Sequence, residues 1–149
     1  MENNNEKIYK EIREILEKNR DAQKGFSKAA ENAKDIALQE YFRTKANDRK
    51  SFNEKLLAEI RTGYPTMKVE GSFAGTIHRA WMDVKSLFSA DNDESMLEEA
   101  IRGDKAAIDE YNDVLEYKSL PVELSHLLNE QREKIRMDVR NNSTLEDLK

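Results

Sequence analysis

Cysteine is absent from the 149-residue chain. That excludes a disulfide framework, a thiol nucleophile and any Cys-based metal site. No run of about 18 apolar residues occurs, so no segment is expected to span a membrane. The start Met1-Glu2-Asn3-Asn4-Asn5 lacks a basic region followed by an apolar one, so no secretory signal is expected and a cytoplasmic location follows by default. Positive charge is not in excess: 25 basic side chains stand against 30 acidic ones, a net charge of −5. A generic nucleic-acid binder would show the opposite balance. Proline and glycine are scarce, at two and five residues, and no Gly-x-Gly-x-x-Gly or P-loop pattern is present to cradle phosphate. Only one tryptophan and two histidines occur.

What is present is charge, 37% of residues, threaded by strictly periodic apolar positions. That combination favours long amphipathic helices over sheets and argues against disorder. Ile8, Ile12, Ile15, Asn19, Ala22, Phe26, Ala29 and Ala33 alternate steps of four and three, which predicts a first helix from about 6 to 34. Leu38, Phe42, Phe52, Leu56 and Ile60 predict a second over 36–61, joined to the first so tightly that the two form an antiparallel hairpin. Gly63 and Pro65 end it. Ser72 reads as the N-cap of a shorter helix over 73–88, with Phe73, Ile77, Trp81, Val84 and Phe88 on its apolar face. Further helices are predicted over 94–118, with seam residues Leu97, Ile101, Asp104, Ile108, Tyr111 and Leu115, and over 121–141, with Leu124, Leu128, Gln131 and Ile135. Residues 1–4 and 142–149 are expected to fray. The whole reads as one all-α domain, an up-down four-helix bundle of two hairpins with residues 63–93 crossing between them.

Each long helix has a polar residue in its apolar seam near mid-length: Asn19, Lys45 or Arg49, Asp104 and Gln131. At a common height these make a buried polar layer. Its structural reading is a partly ionic network that fixes register; its functional reading is a metal or substrate site. A lone inward carboxylate at Asp104 needs a cation, and antiparallel pairing makes Arg49 the first choice and Lys45 the second.

The residues Gly25-Phe26, Ala29-Ala30-Glu31, Arg49, Phe52, Gly71-Ser72, Gly75, His78-Arg79, Trp81, Lys85, Glu98, Gly103-Asp104 and Tyr111 resemble the uncharacterised bacterial family called domain of unknown function 2383. The resemblance covers about residues 5 to 140. It implies a ferritin-like four-helix bundle, and it supplies no activity. Leu97 to Asp104 is also similar to the third bundle helix of rubrerythrin-type proteins, where a glutamate after glycine binds iron; here that position is Asp104.

A ferritin-like di-iron site takes one Glu from each of two helices and a Glu-x-x-His from each of the other two. The chain has one such match, Glu123-x-x-His126, in the first turn of its helix, and Lys45 and Arg49 stand where ligands would be needed. No metal and no cofactor is expected. His78, Arg79 and Trp81 form the remaining candidate binding group, either a small-ligand or peptide site or the tie that holds the connection to the bundle. Three readings follow: a non-enzymatic bundle with a structural, interaction or stress-associated role; a metal-dependent oxidoreductase with an atypical site; and a ligand binder around His78 and Trp81. The first is favoured, with a protein partner or self-association left open.

Overall fold

The computed structural model describes residues 4–63, 80–82 and 92–149. Among these, all regular structure is helical and no strand occurs. The helices are α1 (Asn4–Asn32), α2 (Ile36–Gly63), α3 (Asp93–Leu115) and α4 (Val122–Asn141), with a 3-10 turn at Glu146–Leu148.

The four-three stripe of α1 is buried from Ile8 to Ala33, with Asn19 inside it, and the charged residues between the stripe positions face outward. Three residues connect α1 to α2, and the turn is held by side-chain capping. Asp35 accepts from the Ala37 and Leu38 amides at 2.8 and 3.3 Å, as an N-cap carboxylate does. The Gln39 side chain donates to the Ala33 carbonyl at 2.7 Å. The Asp93 carboxylate accepts from the backbone amides of Lys34 and Asp35 at 3.0 and 2.7 Å. The first turn of α3 is thereby fastened to the α1–α2 turn, while α2 ends at Gly63, far along the bundle.

Helix directions follow from the contacts. Phe42 stacks on Phe26 with ring centroids 6.0 Å apart, and the Asn53 side chain donates to the Leu16 carbonyl at 2.9 Å, so α1 and α2 run antiparallel. α1 and α3 are also antiparallel, because Lys34 meets Asp93 and Asn19 meets Tyr111. So are α2 and α4, since Lys45 meets Asp138 while the Phe52 carbonyl meets Gln131.

Three local features differ from the sequence reading. The seam expected on α3 is only half of its buried face. Leu97, Asp104 and Tyr111 are buried, but Ile101, Ile108 and Leu115 are half-buried, and Met96, Ala100, Gly103, Ala107 and Val114 form a second buried stripe. Small residues in that stripe admit Met82: a Cβ on Gly103 would lie 2.7 Å from the Met82 Cβ and 3.3 Å from the Trp81 carbonyl. The short helix predicted over 73–88 lies outside the described residues except at 80–82, where the backbone bends. Trp81 and Met82 are adjacent and both buried. At the C-terminus, where fraying is expected, the Asp147 carboxylate accepts from the Ser143 and Thr144 amides, both at 3.1 Å, and from the Ser143 hydroxyl. These bonds, that of the Ser143 side chain first, hold Asp147 below the usual carboxylate range. Leu145 and Leu148 lie against the core.

Gly103→Ala is expected to push the Trp81–Met82 segment off α3. Trp81 is the sole tryptophan, so its emission should shift to the red, and stability should fall by about 1–3 kcal/mol, the usual cost of overpacking. Unchanged emission would contradict the close approach.

Candidate functional site

Midway along the bundle, four charged side chains from three helices meet out of contact with water. Asp104 of α3 is 2% exposed, Lys45 of α2 1% and Arg49 of α2 2%. One Asp104 oxygen, Oδ2, lies 2.5 Å from the Lys45 ammonium, and the other, Oδ1, lies 2.7 Å from Nη2 of Arg49. The Lys45 ammonium also reaches Oδ2 of Asp138 of α4 at 3.1 Å. Two cations thus face two carboxylates. Desolvation of such a cluster is costly unless the charges are matched, and here two cations balance two carboxylates. Aromatic faces complete the solvation of the cations: Lys45 sits 4.9 Å from the Phe26 ring centroid, and Arg49 sits 5.6 Å from Phe26 and 5.4 Å from Trp81.

A neutral hydrogen-bonded chain extends the cluster to the remaining helix. Arg49 donates to the Asn19 side-chain oxygen at 3.4 Å, Asn19 to the Tyr111 hydroxyl at 3.1 Å, Tyr111 to the Gln131 side-chain oxygen at 2.7 Å, and Gln131 to the Phe52 carbonyl at 3.1 Å. Burial pushes the Tyr111 phenol up to about 12. Tyr41, which lies beside the Lys45 ammonium, is also pushed up, by burial first and then by the charges of Asp104 and Asp138.

At the α2–α4 edge the row of alternating charge reaches the surface. Lys134 contacts Asp138 at 3.0 Å and Asp48 at 3.6 Å. Burial opposes the charge of Lys134, but Asp138 outweighs it and the ammonium titrates above its ordinary range. Burial likewise raises Asp48, against the pull of Lys134.

The residues singled out in the sequence are distributed as follows. Asn19, Lys45, Arg49, Asp104 and Gln131 are all buried and joined in one network. Arg49 and Lys45 share Asp104, one on each oxygen, instead of competing for it. Trp81 is buried, donates to Glu110 at 3.3 Å and stands 6.2 Å from the Tyr111 ring; Glu110 also pairs with Lys18 of α1. His78 and Arg79 lie outside the described residues. Two members were missed. Asp138 follows Leu124, Leu128, Gln131 and Ile135 by the same four-three stepping, so continuing the stripe one step past Ile135 reaches it. Tyr111 is a seam residue whose hydroxyl needed a partner inside the core.

The cluster does not fit a metal centre. Both Asp104 oxygens are engaged by cations fixed to the chain, and a metal ion there would meet their repulsion. Glu123 and His126 lie on an exposed groove at the start of α4 with Lys55, Glu59 and Glu130, away from the cluster. Among the described residues no group of three or more metal-ligating side chains is placed to hold an ion.

Asp104→Ala strands the buried Arg49 guanidinium, leaves Lys45 with Asp138 alone, and is expected to lower the unfolding free energy by about 3–5 kcal/mol in urea denaturation. Joint replacement of Lys45, Arg49, Asp104 and Asp138 by apolar residues of similar volume should cost much less. A near-neutral Asp104→Ala would contradict the cluster. The tyrosines add an alkaline signature. A phenol raised from 10.0 to about 12 in the folded chain stays protonated where the unfolded chain has lost its proton, so stability falls as pH rises through that window. Tyr111→Phe should flatten this fall, measured as the thermal midpoint against pH.

None of the curated proteins compared matches the chain. The family described as Domain of unknown function (DUF2383) matches residues 7–117, a span that holds Asn19, Lys45, Arg49, Trp81, Asp104 and Tyr111 and stops short of α4; the chain belongs to that family.

Proposed function

We propose that this protein is a non-enzymatic, ferritin-like helical bundle in which an internal ionic cluster takes the place of a metal centre, and that it acts through its surface as a structural or interaction protein, toward a protein partner or a second copy of itself. The ferritin-like assignment is supported by the direction of the helices. α1 is antiparallel to both α2 and α3, and α4 is antiparallel to α2. The order is therefore up, down, down, up, and the long connection after Gly63 returns the chain to the end where α3 begins beside the α1–α2 turn. The proposed setting is the cytoplasm, without nucleic acid; no described helix is long and apolar enough to cross a membrane.

One observation carries the non-enzymatic reading: the only carboxylate that α3 turns into the centre has both oxygens engaged by Lys45 and Arg49. A general acid, base or metal ligand must be reached by its reactant, and this group is buried and faces two fixed cations that would repel a metal ion. The ligand-binding reading around Trp81 is weakened by the same arrangement. Its ring is already in contact with Tyr111 and the Arg49 guanidinium, and its indole N–H is given to Glu110.

Elemental analysis of protein purified from cells grown with added iron and manganese tests the proposal. Metal well below one equivalent per chain is expected, with a thermal midpoint indifferent to chelators. Two metals per chain, lost on Asp104→Ala, would overturn it.

A further inference from the structure

We infer that the centre of this bundle is a cation site whose occupant is tethered: the Lys45 ammonium fills a binding site for a primary alkylammonium ion, formed by Asp104, Asp138 and two aromatic faces. The inference rests on the metal-free reading of the cluster and adds which cation the site is built for. Asp104 and Asp138 come from different helices, and each places its Oδ2 on the same ammonium, at 2.5 and 3.1 Å. The Phe26 and Tyr41 rings stand 4.9 and 5.3 Å from that nitrogen. Lys45 reaches this position from a third helix, α2, so both carboxylates come from elements other than its own; of the two rings, Phe26 belongs to α1 and Tyr41 to α2 itself.

Charge decides what the site would accept without its tether. With Lys45 truncated, two carboxylates and the Arg49 guanidinium remain, a net charge of −1. Lys134 and Asp48 at the rim cancel each other. One positive charge restores neutrality, whereas a divalent ion overshoots. The aromatic faces favour the same choice, because they stabilise an alkylammonium while a metal ion would shed water beside them with no replacement ligand. The space left by truncation is anionic where the ammonium sat.

The experiment is chemical rescue of Lys45→Ala with n-propylammonium chloride, which restores the atoms removed. The thermal midpoint of the variant is titrated against the amine, with sodium chloride at matched ionic strength as reference and manganese(II) as a competing arm, and wild type is run in parallel. A saturable rise in the variant beyond that in sodium chloride, with none in wild type, is expected; Lys45→Met, which fills the space without charge, should not respond. Should Lys45→Ala fail to fold alone, recovery of its helical circular dichroism on addition of the amine is the same readout. No rise or recovery at saturating amine, an equal response of Lys45→Met, or stoichiometric manganese binding by Lys45→Ala would overturn the inference. Failure here alongside metal-free wild type leaves the functional proposal standing. Rescue alongside metal-loaded wild type would remove that proposal and keep the site.

Discussion

The ion pairs of Asp104 with Lys45 and Arg49 are the constraint on which the bundle's register depends. A single buried carboxylate cannot be left without a counter-charge, and a guanidinium and an ammonium one turn apart on α2 cannot both be buried without carboxylates to receive them. Satisfying all of them fixes how far α2, α3 and α4 slide past one another. A shift by one helical turn, about 5.4 Å, would separate the charges and leave them in an apolar core. An apolar seam would tolerate such a shift far better, because one Leu or Ile serves nearly as well as the next. The cluster therefore contributes more to uniqueness of the packing than to net stability. It shares that role with the Asn19–Tyr111–Gln131 chain, which carries the same register to α1.

The start of α3 and the described residues 81 and 82 are tied down by contacts of a different kind. Asp93 bonds the amides of the α1–α2 turn at one end of α3, and Met82 sits against Gly103 next to the ionic residue itself. Trp81 then closes over Arg49. Arg49 is consequently held by charge on one side, by Asn19 on another and by two aromatic rings on its faces. A guanidinium with that set of neighbours has little freedom to leave, which is why removing Asp104 should be felt as a stranded charge and not as a side chain turning to solvent.

The helices and much of the polar layer were legible because both are written in the four-three period. Asn19, Lys45, Arg49, Asp104 and Gln131 stand out as polar letters at apolar positions. Asp138 obeys the same period and could have been read by extending the α4 stripe one step. Other features have no periodic signature. The second stripe of α3 is made largely of Ala and Gly, which carry little hydrophobic signal, and its meaning depends on Met82, a residue remote in sequence. The division of Asp104 between two cations, one oxygen each, depends on side-chain reach and not on spacing. Asp93 looks like an ordinary residue of a helix's first turn, yet it bonds the backbone of another turn some sixty residues earlier. The capped turn at Glu146–Leu148 depends on Asp147 meeting Ser143 and Thr144, a local pattern easily mistaken for a polar tail.

If the cluster organises the bundle as described, the Lys45 ammonium protons are enclosed by two carboxylates and two rings and exchange slowly with water. A nitrogen-correlated NMR spectrum of the lysine ammonium groups observes this directly. One resonance should survive at neutral pH, show cross-peaks to the Phe26 and Tyr41 rings, and vanish in Lys45→Met. If every lysine ammonium is lost to rapid exchange, as for side chains in water, Lys45 is not enclosed and the buried cluster is not the centre of this structure.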